Sequence, residues 1–454
     1  MQYFIFLKYC DILIINMEDI LKQLKHVKSY KQMYDVPWRA MMDNGERVSS
    51  RLGGKLRVAL ICHPCYGFGD IIFALKMYHF MRQWYGLDCT MITTKPKPFI
   101  QNGLKNIYCL KTPGSKTYVE CENLKTMKLY NIDRKGNPTK RANLKHQFDL
   151  IMVTPWIGTD YEPNKNVVKN FLPYANPFNT LLFSEYNAPD PKKYDFPTGI
   201  GKGLMGLLVT RFKFSKTLKI KHPYLMVHLT RDDRVNVGKC FSNFIKLMCK
   251  KYHKRHRKLD VVIPPHVLQD KTTLDKLFSY IKSRGYYKNV VIVKPGEKPT
   301  KTSPSTLTLR ADIGPLPYDK YTGLFKSCLP DVLITGDQSV TDIISCCKDY
   351  NIYYQIMPWK TNFAKNLAQA LGQDFIRKVS TSCGLEKFSS RQRSNITNVA
   401  KRHNFTKLGK PKLDAILAFV LRLRKDKHLK RFTEIVMESR KRQSVIKKIK
   451  TSKK

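Results

Sequence analysis

The chain has 454 residues, 42% of them hydrophobic and 11% aromatic, and its 82 Lys and Arg against 35 Asp and Glu leave a formal charge of +47. That length gives two to three domains with cores of their own, so no disulfide or metal staple is demanded, and the apolar content excludes a disordered polycation. The surplus positive charge must lie on a folded surface, where it selects anionic partners: nucleic acid, anionic membrane, phosphorylated ligands or acidic glycans.

The opening MQYFIFLKYCDILIIN is apolar but interrupted by Lys8 and Asp11. It is too short and too charged to span a bilayer and is followed by no small-residue cleavage site, so no transmembrane segment is expected. Residues 1–51 are assigned to an N-terminal extension. The twelve cysteines are scattered. Cys89, Cys109, Cys240, Cys249 and Cys328 fall inside apolar stretches, the behaviour of reduced core cysteines, which points to an intracellular, reducing compartment.

From Lys55 the pattern alternates β-branched runs with amphipathic stretches: LRVALIC, IIFALKMYHFMRQWYG, DCTMITT and FDLIMVT. Such alternation predicts a parallel sheet with crossover helices, and residues 52–215 are read as a first Rossmann-like domain. Residues 159–222, rich in Pro, Asn and aromatics, read as loops and a connecting segment. At Pro223 a second alternation begins with YLMVHLT, DVVIPP, NVVIVKP, STLTLRA, DVLITG and IYYQIMP, separated by helical spacings such as CFSNFIKLMCKKY and SVTDIISCC. It defines a second Rossmann-like domain, 216–385. The two α/β domains are expected to face a cleft. Residues 386–454 form a basic helical region, with LDAILAFVLRLRK amphipathic, and end in a polybasic tail read as disordered.

Within the first turn after strand one lies HPCYGFGDII. A thiol oxidoreductase opens its helix with C-x-x-C; here four residues separate Cys65 from Asp70, so the thiols miss the helix N-terminus. Zinc would want a second cysteine pair at ligand spacing, which the adjacent Cys346 and Cys347 do not provide. What remains is a tight turn containing Gly67 and Gly69, with Asp70 at or near the helix N-terminus. Asp70 either caps the helix or presents a carboxylate to a cleft.

The second constellation is Gly336-Asp337-Gln338-Ser339, which opens a helix after the apolar strand DVLIT. Small and polar residues at a helix start on the carboxyl edge of a parallel sheet can bind a diphosphate through backbone N–H groups, or can be an ordinary βα turn. Thr230 and Arg231 lie just past the first strand of this half, where Arg231 can meet a phosphate or pair with Asp232 or Asp233. No D-x-D triplet occurs, so no metal site is expected.

Taken together, the two halves resemble glycosyltransferases of the GT-B architecture. LRVALICHPCYGFGDIIFALKMYHFMRQWYGLDCTMITT is similar to the amino-terminal segment of lipopolysaccharide heptosyltransferases and of protein-arginine rhamnosyltransferases, which place Gly-Asp directly after strand one. The resemblance implies that Asp70 is the catalytic base. The second half resembles the donor domain of the rhamnosyltransferases, whose Gly-Glu-Asp-Ser segment occupies the same turn. It implies a catalytic or supporting role for Asp337 and a diphosphate contact for Ser339, while Gln338 departs from the family aspartate. Gly67, Gly69, Thr230, Arg231, Gly336, Gln338 and Ser339 are thus the expected donor-binding residues. The activity implied is transfer of a sugar from a nucleotide-sugar donor, inverting and metal-independent, with no cofactor beyond that co-substrate. The acceptor is left open among acidic glycan, protein and nucleic acid.

The alternatives are a degenerate glycosyltransferase or a non-catalytic α/β protein that binds nucleic acid through KKYHKRHRK (250–258), SSRQR (389–393) and the tail. Against the latter, the basic residues spread along the whole chain and no zinc-finger, helix-turn-helix or RRM signature appears.

Overall fold

The computed structural model describes residues 56–64, 68–114, 126–144, 148–155, 165–176, 179–209, 218–231, 236–299, 303–346, 350–370, 385–388 and 398–425. Gly67, Cys65, Cys347, Asp232, Asp233, the N-terminal extension, SSRQR and the polybasic tail lie outside the described residues.

The first sheet has the order β5-β4-β3-β2-β1-β6-β7, built from Val58–Cys62 (β1), Thr90–Thr93 (β2), Ile107–Lys111 (β3), Lys128–Ile132 (β4), Pro138–Arg141 (β5), Leu150–Thr154 (β6) and Thr180–Leu182 (β7). β1 pairs in parallel with β2 and β6, and only the β3–β4–β5 edge is antiparallel. Every residue of β1 and β6 is buried, which explains their unbroken apolar sequences: a parallel strand covered on both faces cannot alternate with polar residues.

The second sheet has the order β10-β11-β9-β8-β12-β13-β14, from Tyr224–His228 (β8), Lys258–Val262 (β9), Asn289–Val293 (β10), Thr306–Arg310 (β11), Asp331–Thr335 (β12), Asn351–Gln355 (β13) and Leu385–Phe388 (β14). All its pairings are parallel except β13–β14. The expected α/β architecture of two Rossmann-like sheets is therefore what the chain adopts. In each sheet the strand order reverses beside its first strand, between β1 and β6 and between β8 and β12. Ligands of open α/β sheets bind outside the carboxyl ends of the strands at such switch points.

Helix α1, Gly69–Tyr85, follows β1; Pro96–Gln101 (α2) and Lys165–Val168 (α3) complete the first half. In the second half come Val237–Tyr252 (α4), Lys271–Ser283 (α5), Tyr318–Ser327 (α6), Asp337–Cys346 (α7) and Thr361–Ala370 (α8). Phe405–Leu408 (α9) and Lys410–Lys425 (α10) belong spatially to the first sheet. The Tyr85 hydroxyl donates to Asp414 at 2.6 Å, Arg424 meets Asp149 at 3.2 Å, and Leu207 N donates to the His403 carbonyl at 2.6 Å. Phe183 stacks on Phe196 with ring centres 4.4 Å apart, and both lie against Phe405. The amphipathic LDAILAFVLRLRK stretch thus returns over the first domain, where it buries Leu413, Ile416 and Leu417. The stretch 159–222, expected as loops, also carries α3 and the edge strand β7.

Cys89, Cys109, Cys240, Cys249 and Cys328 are buried free thiols, as their apolar settings predict. Among the described residues no helix is long and apolar enough to cross a membrane.

Candidate active site

Helices α1 and α7 meet across the junction of the two domains. Each begins at the carboxyl edge of its sheet, and α1 packs directly on α7. Two turns into α1 the fully buried Lys76 reaches α7, where its Nζ lies 2.6 Å from Asp342 and 2.9 Å from the Gln338 side-chain oxygen. Because a helix rises about 1.5 Å per residue, Asp70 stands roughly 9 Å from Lys76 along the axis, at the very start of α1. Asp70 thus lies at the lip of the first switch point and the 336–339 turn at the lip of the second, and Lys76 ties the two helices together.

On the first lip the helix cap is Phe68, which makes no side-chain cap bond, and Asp70 is the second helical residue. Asp70 is thus not the N-cap residue; it is half-buried in the first turn, where its carboxylate is favoured by the helix dipole. Phe68 is 61% exposed, an aromatic face left at the mouth of the site. The Cys62 thiol, buried at the end of β1, contacts the Asp70 carbonyl at 3.6 Å. Burial first, and the Asp70 charge second, push that thiol well above its ordinary pKa, so it stays protonated.

On the second lip, Ile334 of β12 registers with His228 of β8. Two residues on along each strand stand Gly336 and Thr230, so the sequence-predicted Thr230, Arg231, Gly336, Asp337 and Ser339 are brought to one switch point. Gly336 has φ +78°, the left-handed backbone that turns the chain from strand to helix. Thr230 N donates to the Gln355 side-chain oxygen at 3.2 Å, and Thr335 Oγ1 donates to the Gln355 carbonyl at 3.2 Å. Arg231 is exposed and Ser339 half-buried, both at the rim.

Asp337 and Gln338 turn inward. Lys360 Nζ donates to Asp337 at 2.9 Å and to Glu185 of the first domain at 2.6 Å, while Asp337 Oδ1 accepts from Gln338 N at 2.8 Å. Burial pulls the Lys360 pKa down, yet the charges of Asp337 and Glu185 outweigh it and hold the ammonium well above its usual range. Burial pushes the Asp342 carboxyl up, against the pull of Lys76 and of the Tyr318 hydroxyl, which donates to it at 2.6 Å. The expected catalytic Asp337 and donor contact Gln338 are accordingly engaged in the polar seam between the domains.

Lys76, Glu185, Asp342 and Lys360 carry no motif and escape sequence reasoning. A buried lysine at position 76 of a helix that continues KMYHFMRQWY is the one local oddity that could have drawn attention. His228 and His266 also line the second switch point. The ring of His228 packs on Tyr321 at 5.6 Å between centres, and burial followed by the proximity of His266 lowers its pKa to about 4. Among the described residues no group of three or more His, Cys, Asp or Glu is arranged to hold a metal ion.

No protein-family model and no curated protein matches the chain. Solved structures are similar at low identity. The Candida albicans trehalose-6-phosphate phosphatase N-terminal domain is 16% identical over 44% of this chain and 42% of its own, with a TM-score of 0.23. The glycosyl transferase family 9 protein of Veillonella parvula is 9% identical over 65% of this chain and 79% of its own, with a TM-score of 0.32. A mutant of the Thermobaculum terrenum O-GlcNAc transferase is 11% identical over 86% of this chain and 77% of its own, with a TM-score of 0.33. The chain thus spans less than half of the first of these and over three quarters of the other two.

Proposed function

We propose that this protein is a glycosyltransferase that moves a sugar from a nucleotide-sugar donor to a hydroxyl or other nucleophile of an acceptor. The observation that carries the reading is the meeting of α1 and α7, helices that each start at the switch point of their own sheet. A carboxylate on one lip and a helix N-terminus on the other are the two groups an inverting transfer needs.

In this scheme Asp70 removes the acceptor proton as the acceptor oxygen forms its bond to the anomeric carbon. The bond from that carbon to the donor phosphate oxygen breaks, and the electron pair leaves with the diphosphate. The N-terminal turn of α7, the Ser339 hydroxyl, Thr230 and Arg231 receive that charge, so the departure needs no bound metal. Asp337 positions the turn through Lys360 rather than touching substrate. Phe68 offers a stacking face to whichever ring enters the mouth.

A panel of UDP, GDP and dTDP sugars tests the reading. One class should raise the melting temperature and release nucleoside diphosphate, without loss on chelation, and with inverted configuration in the product. If no nucleotide sugar shifts the melting point or is turned over, the proposal fails. The engagement of Asp337 by Lys360 favours a second reading, a donor-binding protein without turnover, which would show the thermal shift and no release.

A further inference from the structure

The opposite edge of the second sheet has a different chemistry. Because β8, β9, β10, β11 and β12 run parallel, the segments that enter them, 218–223, 250–258, 282–288, 303–305 and 326–330, all arrive at one amino-terminal edge. These five segments contain no Asp or Glu, and 218–223, 250–258 and 282–288 are rich in Lys and Arg. Lys250, Lys254, Arg255, Arg257, Arg284 and Lys288 are all exposed. The acids nearest by, Asp260 and Asp331, are buried inside the strands and already satisfied: Asp331 by Lys251, Tyr252 and Asn351, Asp260 by Arg310 and His222. Among the described residues of these five segments no acid offsets that positive charge.

Aromatic rings are set among the cations. His253 lies 4.8 Å from Tyr286, ring centre to ring centre, and joins the β9 entry to the β10 entry. Arg284 and Lys246 both stand over the Tyr280 ring, at 5.6 and 4.9 Å. Apart from Leu218, the five segments expose no large apolar side chain among the described residues, so there is little here to insert into a lipid layer. Cations interleaved with half-buried rings suit phosphates together with bases.

We infer that the amino-terminal edge of the second sheet is a nucleic-acid-binding face. It is independent of the transfer reaction proposed above. β9 alone, five residues long, sets it about 16 Å from the carboxyl edge where the switch point lies. Nucleic acid held there is a tether and not the molecule in the cleft.

The test uses the full-length chain and fluorescence anisotropy with a mixed-sequence 20-base-pair duplex and its single strand, across a salt series. The triple variant Lys254→Glu, Arg255→Glu, Arg257→Glu should bind about tenfold or more weakly near 0.15 M salt and flatten the slope of log K against log salt by about 2 to 3. A control with the same charge change on the first domain, Lys97→Glu, Lys105→Glu, Lys135→Glu, should bind almost as well as the parent. The milder Lys254→Gln, Arg255→Gln, Arg257→Gln set guards against misfolding and should give a smaller loss in the same direction. Equal losses in patch and control variants would overturn the proposal, since attraction would then be a property of total charge. So would binding to phosphatidylserine vesicles or heparin with none to either oligonucleotide. Because no nucleotide sugar enters this assay, its outcome is separate from that of the transferase reading.

Discussion

Lys76 of the first domain and Asp342 of the second form an ion pair 2.6 Å long whose side chains are 0% and 6% exposed. The pair joins α1 to α7 across the junction of the two domains. A buried pair of this kind adds little over a well-packed apolar substitute, but removing one partner strands the other charge.

Lys76→Met should therefore destabilise the protein by about 3 to 5 kcal/mol, and calorimetry should show the two domains melting less cooperatively. The double variant Lys76→Met, Asp342→Leu should recover most of that loss. A neutral single variant would show that the pair does not hold the junction.

Asp70→Asn should cost less than about 1 kcal/mol, because Asp70 lies half-buried in the first turn, where the dipole contribution is of that size, and the cap position is Phe68. Turnover should fall by about 10² to 10⁴ with donor binding retained. Unfolding of the variant, followed by thermal melts, would instead assign the residue a purely structural part.

Gly69 and Gly336 separate fold from function. No described atom lies within 4 Å of a Cβ built on Gly69, and its φ is not positive, so the fold does not demand glycine there. Gly69→Ala should leave stability unchanged or raise it by about 0.5 to 1 kcal/mol, yet weaken donor or acceptor affinity by filling the approach to the turn. Gly336→Ala, also with open space but with φ +78°, should lose about 1 to 2 kcal/mol from backbone strain alone. Thermal melts and ligand titrations of the pair decide between these outcomes.

His228 gives an acid limb to stability. Burial, with His266 nearby, holds its pKa at about 4 against an ordinary 6.5. A histidine with a lowered folded pKa leaves stability flat above pH 6.5 and erodes it as pH falls from 6.5 toward 4, here by up to about 3 kcal/mol. Urea melts at pH 7.5 and 4.5 should show that loss in the parent and a smaller one in His228→Gln.

The two βα alternations, the strands β1, β2, β6 and β8 to β13, and the glycine turns before α1 and α7 are legible in the residues alone, whereas the short strands β3, β4, β5, β7 and β14 are not. The legible elements follow from local periodicity and turn chemistry, which act over a few residues and leave a mark in a short stretch. How the helix that carries Asp70 meets the helix that follows the 336–339 turn is not legible there. It is set by contacts such as Lys76 to Gln338, 262 residues apart, and Tyr85 to Asp414, 329 apart, which have no local signature. The same holds for the basic edge: its charge is plain in KKYHKRHRK, but only the sheet, by bringing the entries of its parallel strands β8 to β12 to one side, gathers the separate segments into a surface. Burial likewise arises from packing between distant segments, and it engages Asp337, the expected catalytic residue, and Gln338, the expected donor contact, in the seam between the domains.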